Sequence, residues 1–244
     1  MTLPRFFVSI ELKVGVTASL NEDVSHYLRH VLRIGTDEEV ILFNGNGGEY
    51  RSRINTVTKK AVNVTPETVA ETNRSGELSV HLGLSVLKRD GMDNAIGRAV
   101  ELGATKITPV ISEHVTVASK VITRRTEHWQ KVVYSACEQC GLNRVPRIED
   151  PTEVADWVTA RDEETKLLTS IGAPPLPLTG KPDGAIALLI GPEGGLTATE
   201  VSHAVGKGFT RMGLGERILR AETVPLVALS VLQRTWGDYS PDSY

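Results

Sequence analysis

The sequence predicts an α/β protein in two parts, a small β-rich N-terminal part and a larger part in which strands alternate with helices. Three observations carry this. The hydrophobic rhythm changes near residue 72, across the polar, turn-rich stretch Glu71-Thr-Asn-Arg-Ser-Gly-Glu77. Beyond it, apolar runs and helical spacings take turns, the pattern of a parallel sheet covered on both faces. One run, Ala185-Ile-Ala-Leu-Leu-Ile190, is so poor in polar residues that it reads as a central strand.

Taken in order, residues 5–10 read as a strand, and residues 24–32 place Val24, Leu28, Val31 and Leu32 at helical spacing. Residues 39–43, 49–57 and 61–69 form a meander, with the turn cluster Asn44-Gly-Asn-Gly-Gly48 after its first strand. This gives a small barrel or curled sheet with one helix over residues 1–72 and a second domain over 73–244. In the second, residues 78–87, 106–111, 165–169, 183–190 and 209–214 read as strands. Residues 90–102, 123–138, 197–207 and 223–236 read as helices, and Ala173-Pro-Pro-Leu-Pro-Leu178 as a stiff loop.

Composition narrows the function classes. With 244 residues, 27 Lys+Arg and 30 Asp+Glu, the net charge of −3 gives no global nucleic-acid signal, so any basic footprint must be local. Two cysteines cannot build a disulfide framework. The longest apolar runs fall short of the roughly 20 residues of a membrane span, and Met1-Thr-Leu-Pro-Arg-Phe-Phe-Val8 has no signal-peptide core. The expectation is a cytoplasmic protein that needs no membrane.

The chemistry concentrates in two late glycine-bearing loops. Gly191-Pro-Glu-Gly-Gly195 follows the apolar strand, at the end where ligands collect in open α/β sheets. Thr197-Ala-Thr-Glu200 is a capping box that starts the next helix. A phosphate loop would need a lysine that is absent, and the dinucleotide spacing does not fit. A ligand-free strand-to-helix turn has the same composition. About twenty residues on, Arg211-Met-Gly-Leu-Gly215 leads into the charged stretch Glu216-Arg-Ile-Leu-Arg-Ala-Glu-Thr223, which also reads as a solvated loop with casual ion pairs. The helix after it is apolar nearly all round, which suits a subunit interface.

Together, Leu189-Ile-Gly-Pro-Glu-Gly-Gly195 and Leu214-Gly-Glu-Arg-Ile-Leu-Arg-Ala-Glu-Thr223 resemble the C-terminal signature of the RsmE family of 16S rRNA (uracil-N3)-methyltransferases, in the SPOUT superfamily. Arg5-Phe-Phe7, His30-Val-Leu-Arg33, Arg98-Ala-Val-Glu-Leu-Gly103, Ala136-Cys-Glu-Gln-Cys-Gly141 and Asn143-Arg-Val-Pro146 extend the resemblance along nearly the whole chain. It implies a PUA-like N-terminal β-barrel for RNA and a SPOUT α/β domain tied in a deep trefoil knot, a topology that pattern reasoning would not reach. It also implies S-adenosyl-L-methionine as cofactor, a homodimer, and 16S rRNA, within the 30S subunit, as substrate.

Carried over by position, the cofactor residues are Thr169, Ser170, Leu189, Ile190, Gly191, Glu193, Gly194, Gly195, Leu214, Gly215, Ile218 and Leu219. The glycines allow close backbone approach, and the leucines and isoleucine supply apolar walls. Methyl transfer to N3 of uridine leaves negative charge on O2 and O4, which a cation stabilises. Arg220 is the first candidate for that cation and Arg144 the second. Glu138, Glu193 and Glu222 lie near the motifs as carboxylates for the proton, with hydroxide or water as the alternative acceptor and Glu222 expected instead to pin Arg220 as an ion pair. Arg5, Arg29, Arg33 and Arg144 are the expected RNA contacts, with Arg51 and Arg53 able to line a groove. Residues 120–147 add a local basic patch, six Lys/Arg against two Asp/Glu, which also reads as a solvated helix face.

Cys137-Glu-Gln-Cys140 has no second pair to make a zinc site and reads as packed cysteines, and the six histidines show no metal spacing, so no metal is expected. Leu142 stands where the family commonly has Arg, so either Arg144 takes over that contact or the contact is dispensable. Two other readings stay open. A different SPOUT activity, on ribose or tRNA, is disfavoured by the β-rich domain ahead of Gly-Pro-Glu-Gly-Gly. A non-catalytic RNA-binding protein is disfavoured by the intact cofactor loops.

Overall fold

The computed structural model describes residues 3–72, 74–88, 90–117, 119–176 and 180–239. Met1 and Thr2, and Pro177 and Leu178 of the stiff loop, fall outside them. The chain divides into two compact units, Met1–Ser75 with Cys137–Val145, and Gly76–Ala136 with Pro146–Tyr244.

The first unit is built on a five-stranded sheet of β1 (Arg5–Phe7), β2 (Ala18–Ser19), β3 (Glu39–Phe43), β4 (Glu49–Val57) and β5 (Val62–Ala70), in the order β1-β3-β4-β5-β2. β1 pairs with β3 in parallel and the other neighbours are antiparallel. Alternation along β5 buries Val62 and Val64, which join Phe6, Leu20, Leu28, Leu42 and Ile54 in the core. Helix α1 (Glu22–Tyr27) starts where Asn21 Oδ1 accepts from the Val24 N–H at 2.9 Å. It runs on into a π-helical turn, Leu28–Leu32, that ends at Arg33 with a left-handed φ of 53°. A π turn takes more residues than an α turn and so rotates the apolar stripe. Val24 and Leu28 reach the core as the spacing predicts, whereas Val31 and Leu32 are 57% and 41% exposed.

In this unit the segment 137–145 is tied down by polar contacts. Arg5 pairs with Glu49 at 2.7 Å, donates to Asn143 Oδ1 at 2.8 Å and lies over the Phe43 ring. Burial alone would raise the Glu49 carboxyl, but hydrogen bonds from Arg74, Arg5 and Asn143 outweigh it and hold it below its ordinary value. Glu138 accepts from the Phe7 N–H at 3.0 Å, and burial raises its pKa. Cys137 and Cys140 form no disulfide, and burial pushes Cys137 up to about 12, so it packs as a neutral group. Leu142 is buried.

The second unit runs β6 (Val80–Ser85), α2 (Gly91–Glu101), β7 (Ala104–Ile111), α3 (Ser119–Cys140, as far as Ala136), β8 (Arg147–Ile148), β9 (Thr152–Glu153), α4 (Val154–Thr159), β10 (Thr165–Thr169), β11 (Ile186–Ile190), α5 (Ala198–Gly206), β12 (Thr210–Met212) and α6 (Val224–Trp236). Its seven-stranded sheet has the order β12-β10-β11-β6-β7-β8, with β9 also on β7, and every pairing is parallel. β6 and β11 are buried along their whole length, as expected of strands covered on both faces. α4 was not expected. Its Val154, Trp157 and Val158 are buried at i, i+3, i+4 spacing, a one-turn signal hidden among acidic residues.

A polar cluster sits in this second core. Arg161 Nη1 donates to His81 Nδ1, so the His81 Nε2–H donates to Thr108 Oγ1 at 2.8 Å and the ring is neutral. Burial, then the positive charge of Arg161, depress the His81 pKa from 6.5 to about 4. The folded chain therefore binds fewer protons than the unfolded chain between these values. His81 is neutral in both states above pH 6.5 and contributes no pH dependence there. As the pH falls from 6.5 toward 4, the unfolded state is favoured progressively. Urea midpoints measured across this interval are expected to decline with pH, and His81→Gln to flatten that part of the decline; an identical slope in the variant would remove His81 as its cause.

Candidate active site

β12, β10 and β11 are neighbours, so their carboxyl ends release three loops at one edge of the sheet. There they enclose a cavity of about 380 Å³. Thr169 and Ser170 enter from the end of β10, Ile190 to Leu196 from the loop after β11, and Leu214, Gly215, Arg217, Ile218, Leu219 and Ala221 from the loop after β12. Val201 of α5 and Val224 of α6 close the wall. Gly195 and Gly215 hold left-handed φ of 72° and 96°, which lets the two late loops turn without strain. The expected capping box forms at the start of α5, with the Thr197 side chain accepting from the Glu200 N–H and the Glu200 side chain from the Thr197 N–H.

Eleven of the twelve expected cofactor residues line this cavity; Leu189 does not. Side chains alternate along a strand, and when Ile190 faces the cavity Leu189 faces the opposite side. There it is fully buried with Val110, Trp157 and Leu168. Because β11 is apolar on both faces, its sequence does not tell the two sides apart.

Two family models match the chain, an RNA methyltransferase domain over residues 74–233 and an RNA methyltransferase PUA domain over residues 20–67. The ribosomal RNA small subunit methyltransferase E of Buchnera aphidicola subsp. Schizaphis graminum is 32% identical, with 98% of each chain covered. That of Synechocystis is 34% identical, over 93% of this chain and 76% of the relative. The chain belongs to the ribosomal RNA small subunit methyltransferase E family. A solved family member from Neisseria gonorrhoeae, bound to S-adenosyl methionine, superposes with a TM-score of 0.92 at 36% identity over 98% of this chain and 100% of that one. A methyltransferase from Legionella pneumophila, in complex with the same cofactor, gives 0.92 at 33% identity over the same shares.

In this member of the methyltransferase E family the charged residues of the late loop separate. Arg217 lines the cavity, which sequence position alone did not single out. Arg220 is exposed and does not line it, and its carbonyl accepts from the Thr223 and Val224 N–H groups at the start of α6. The ion pair expected between Glu222 and Arg220 is absent among the described residues. Residues two apart do not face each other at a helical turn. Glu193 lines the cavity and accepts from the Lys88 N–H at 2.9 Å.

The remaining candidates lie in the first unit. Arg5 is engaged by Glu49, Asn143 and Phe43. Arg29 donates to the Ser25 carbonyl at 3.0 Å and to the carbonyls of Thr58 and Lys59. Arg33 and Arg144 are exposed and have no ion-pair partner among the described residues. Arg51 and Arg53 pair with Glu39 and Glu67. Among the described residues no three metal-ligating side chains cluster and no helix is long and apolar enough to cross a membrane.

Sequence reasoning also missed Leu196, Val201, Ala221 and Val224 as lining residues. It missed a close crossing below them, where the Gly213 N–H donates to the Pro174 carbonyl at 2.7 Å and a Cβ on Gly213 would fall on the Ala173 carbonyl oxygen. Gly213→Ala is expected to cost about 1–3 kcal/mol, the usual range for overpacking. The urea midpoint checks this, and an unchanged midpoint would show that the crossing can relax.

Proposed function

We propose that this chain methylates N3 of a uridine in 16S rRNA, with S-adenosyl-L-methionine in the cavity at the ends of β10, β11 and β12. The observation that carries the reading is that cavity. Its size falls in the range of about 300–1,000 Å³ typical of small-molecule sites, and its walls combine apolar side chains with glycine backbone. A flat adenosine needs such a mix of close peptide groups and apolar faces. Full-length relatives at 33% and 36% identity hold the same cofactor. The trefoil knot implied by the family resemblance belongs to the same proposal, supported by the tight crossing at Gly213.

The cofactor supplies an activated methyl group on a sulfonium; the chain's residues position, orient and neutralise. Arg217, in the cavity wall, would hold the one anionic group of the cofactor, its carboxylate. Arg220, beyond the wall, faces the uracil oxygens that gain charge as N3 loses its proton. Glu222, half-buried near Arg220, is the carboxylate available to take that proton. Arg33, Arg144 and the Arg29 guanidinium, with the basic residues of α3, contact RNA phosphates. Arg5 is reassigned from RNA contact to bracing, because its guanidinium is already engaged inside its own unit. The chain works as a homodimer in the cytoplasm, on the RNA of the 30S subunit.

The pure protein is expected to form 3-methyluridine in 30S subunits, identified by mass spectrometry of the nucleosides; another modified nucleoside, or none, would overturn the reading. Arg220→Ala is expected to lower kcat at saturating cofactor by about 100-fold, the usual cost of losing such a donor, with cofactor affinity within about twofold. Arg217→Ala is expected to weaken cofactor binding by about tenfold or more, as loss of a charged hydrogen bond does. The reverse pattern would exchange the two assignments.

A further inference from the structure

The loop after β11 and the first turn of α5 are fastened to two neighbouring loops by three hydrogen bonds. The Lys88 N–H, after β6, donates to Glu193 Oε1 at 2.9 Å. The Glu113 N–H, after β7, donates to Glu200 Oε1 at 2.9 Å. Next to it, His114 Nδ1 meets the Gly195 carbonyl oxygen at 2.9 Å. A carbonyl only accepts, so Nδ1 carries the proton. The first two bonds draw on backbone donors; the third draws on the His114 side chain, and it acts directly on a peptide of the cavity wall. The His114 ring also packs on Gly194, where a Cβ would come within 3.1–3.2 Å of its Cβ, Cγ and Nδ1.

The Gly195–Leu196 peptide is trans, so its C=O and N–H point opposite ways. With the C=O turned to His114, the Leu196 N–H is turned away from it. No backbone carbonyl among the described residues accepts from that N–H. Gly195 and Leu196 both line the cavity. An amide in a cavity wall with no acceptor from the chain is open to an acceptor on a ligand. We infer that His114 is a positioning residue. It holds the Gly195 carbonyl so that the Leu196 N–H is presented to a hydrogen-bond acceptor of the bound cofactor. The inference rests on the cavity being the S-adenosylmethionine site. Under it, His114 acts on cofactor affinity and touches neither the cofactor nor the RNA base.

Titration calorimetry of the full chain with S-adenosylmethionine, on wild type, His114→Ala, His114→Asn and His114→Gln, tests this. The Asn amide nitrogen reaches the place of Nδ1; the Gln amide nitrogen reaches that of Nε2. His114→Ala is expected to weaken binding by about five- to tenfold, the worth of one hydrogen bond. His114→Asn should stay within about twofold of wild type and His114→Gln should behave as the alanine variant. Amide hydrogen exchange at Leu196 should slow on cofactor addition in wild type and His114→Asn, and much less in His114→Gln. Wild-type affinity in His114→Ala overturns the inference alone. So does an Asn variant as weak as the Gln variant, which would mark a packing role. If His114→Ala does not fold, the Asn and Gln pair decides. A wild-type chain that binds no S-adenosylmethionine overturns this inference together with the cofactor reading.

Discussion

Parallel strands that lie side by side deliver the chain to the same edge of a sheet, whatever their distance in sequence. In the second unit this applies to β12, β10 and β11. β10 sits between strands that follow it in the chain, so the loop leaving it must pass close to the loop leaving β12. At Gly213 the separation leaves no room for a side chain. The cavity, the two glycine turns in its wall and the start of α6 all depend on that neighbour relation. Were β10 at the sheet edge, Thr169 and Ser170 would stand a strand further from the loop after β11.

Several features of this arrangement were legible in the sequence. The apolar run ending at Ile190 marks a strand buried on both faces, and the structure buries all five residues of β11. Thr197 and Glu200, three apart, announce the helix cap that forms. The glycines of the late loops mark backbone that must turn or approach closely, and most of them line the cavity. These are local signals, decided by residues within one turn or one strand.

What the sequence did not disclose was non-local or directional. Leu189 and Ile190 are equally apolar, and only the sheet's surroundings decide which of them meets the cavity. Arg217 and Arg220 are three apart in one charged stretch, and the turn that caps α6 with the Arg220 carbonyl separates their settings. His114 sits about 80 residues before Gly195 and reaches it because β7 and β11 flank β6. In the first unit, Arg5, Glu49, Arg74 and Asn143 form one hydrogen-bonded group from four distant places. No spacing rule joins such residues, since their proximity is a property of the fold.

The arginines show why net charge carried so little information. A guanidinium paired with a carboxylate has its charge offset and its donors directed inward. Arg5, Arg51, Arg53 and Arg74 are in this state, bound to Glu49, Glu39 and Glu67. They hold strands and loops in register, and a phosphate would have to compete with a carboxylate already in place. Arg29 differs, because its hydrogen bonds go to neutral carbonyls and leave its charge uncompensated. Arg33 and Arg144 in the first unit, and Arg217 and Arg220 in the second, have no carboxylate partner among the described residues. A chain with a net charge of −3 can still present positive charge locally, wherever such arginines stand without a carboxylate beside them. Electrostatic attraction to RNA follows the uncompensated charges, and only the three-dimensional pairing separates them from the rest.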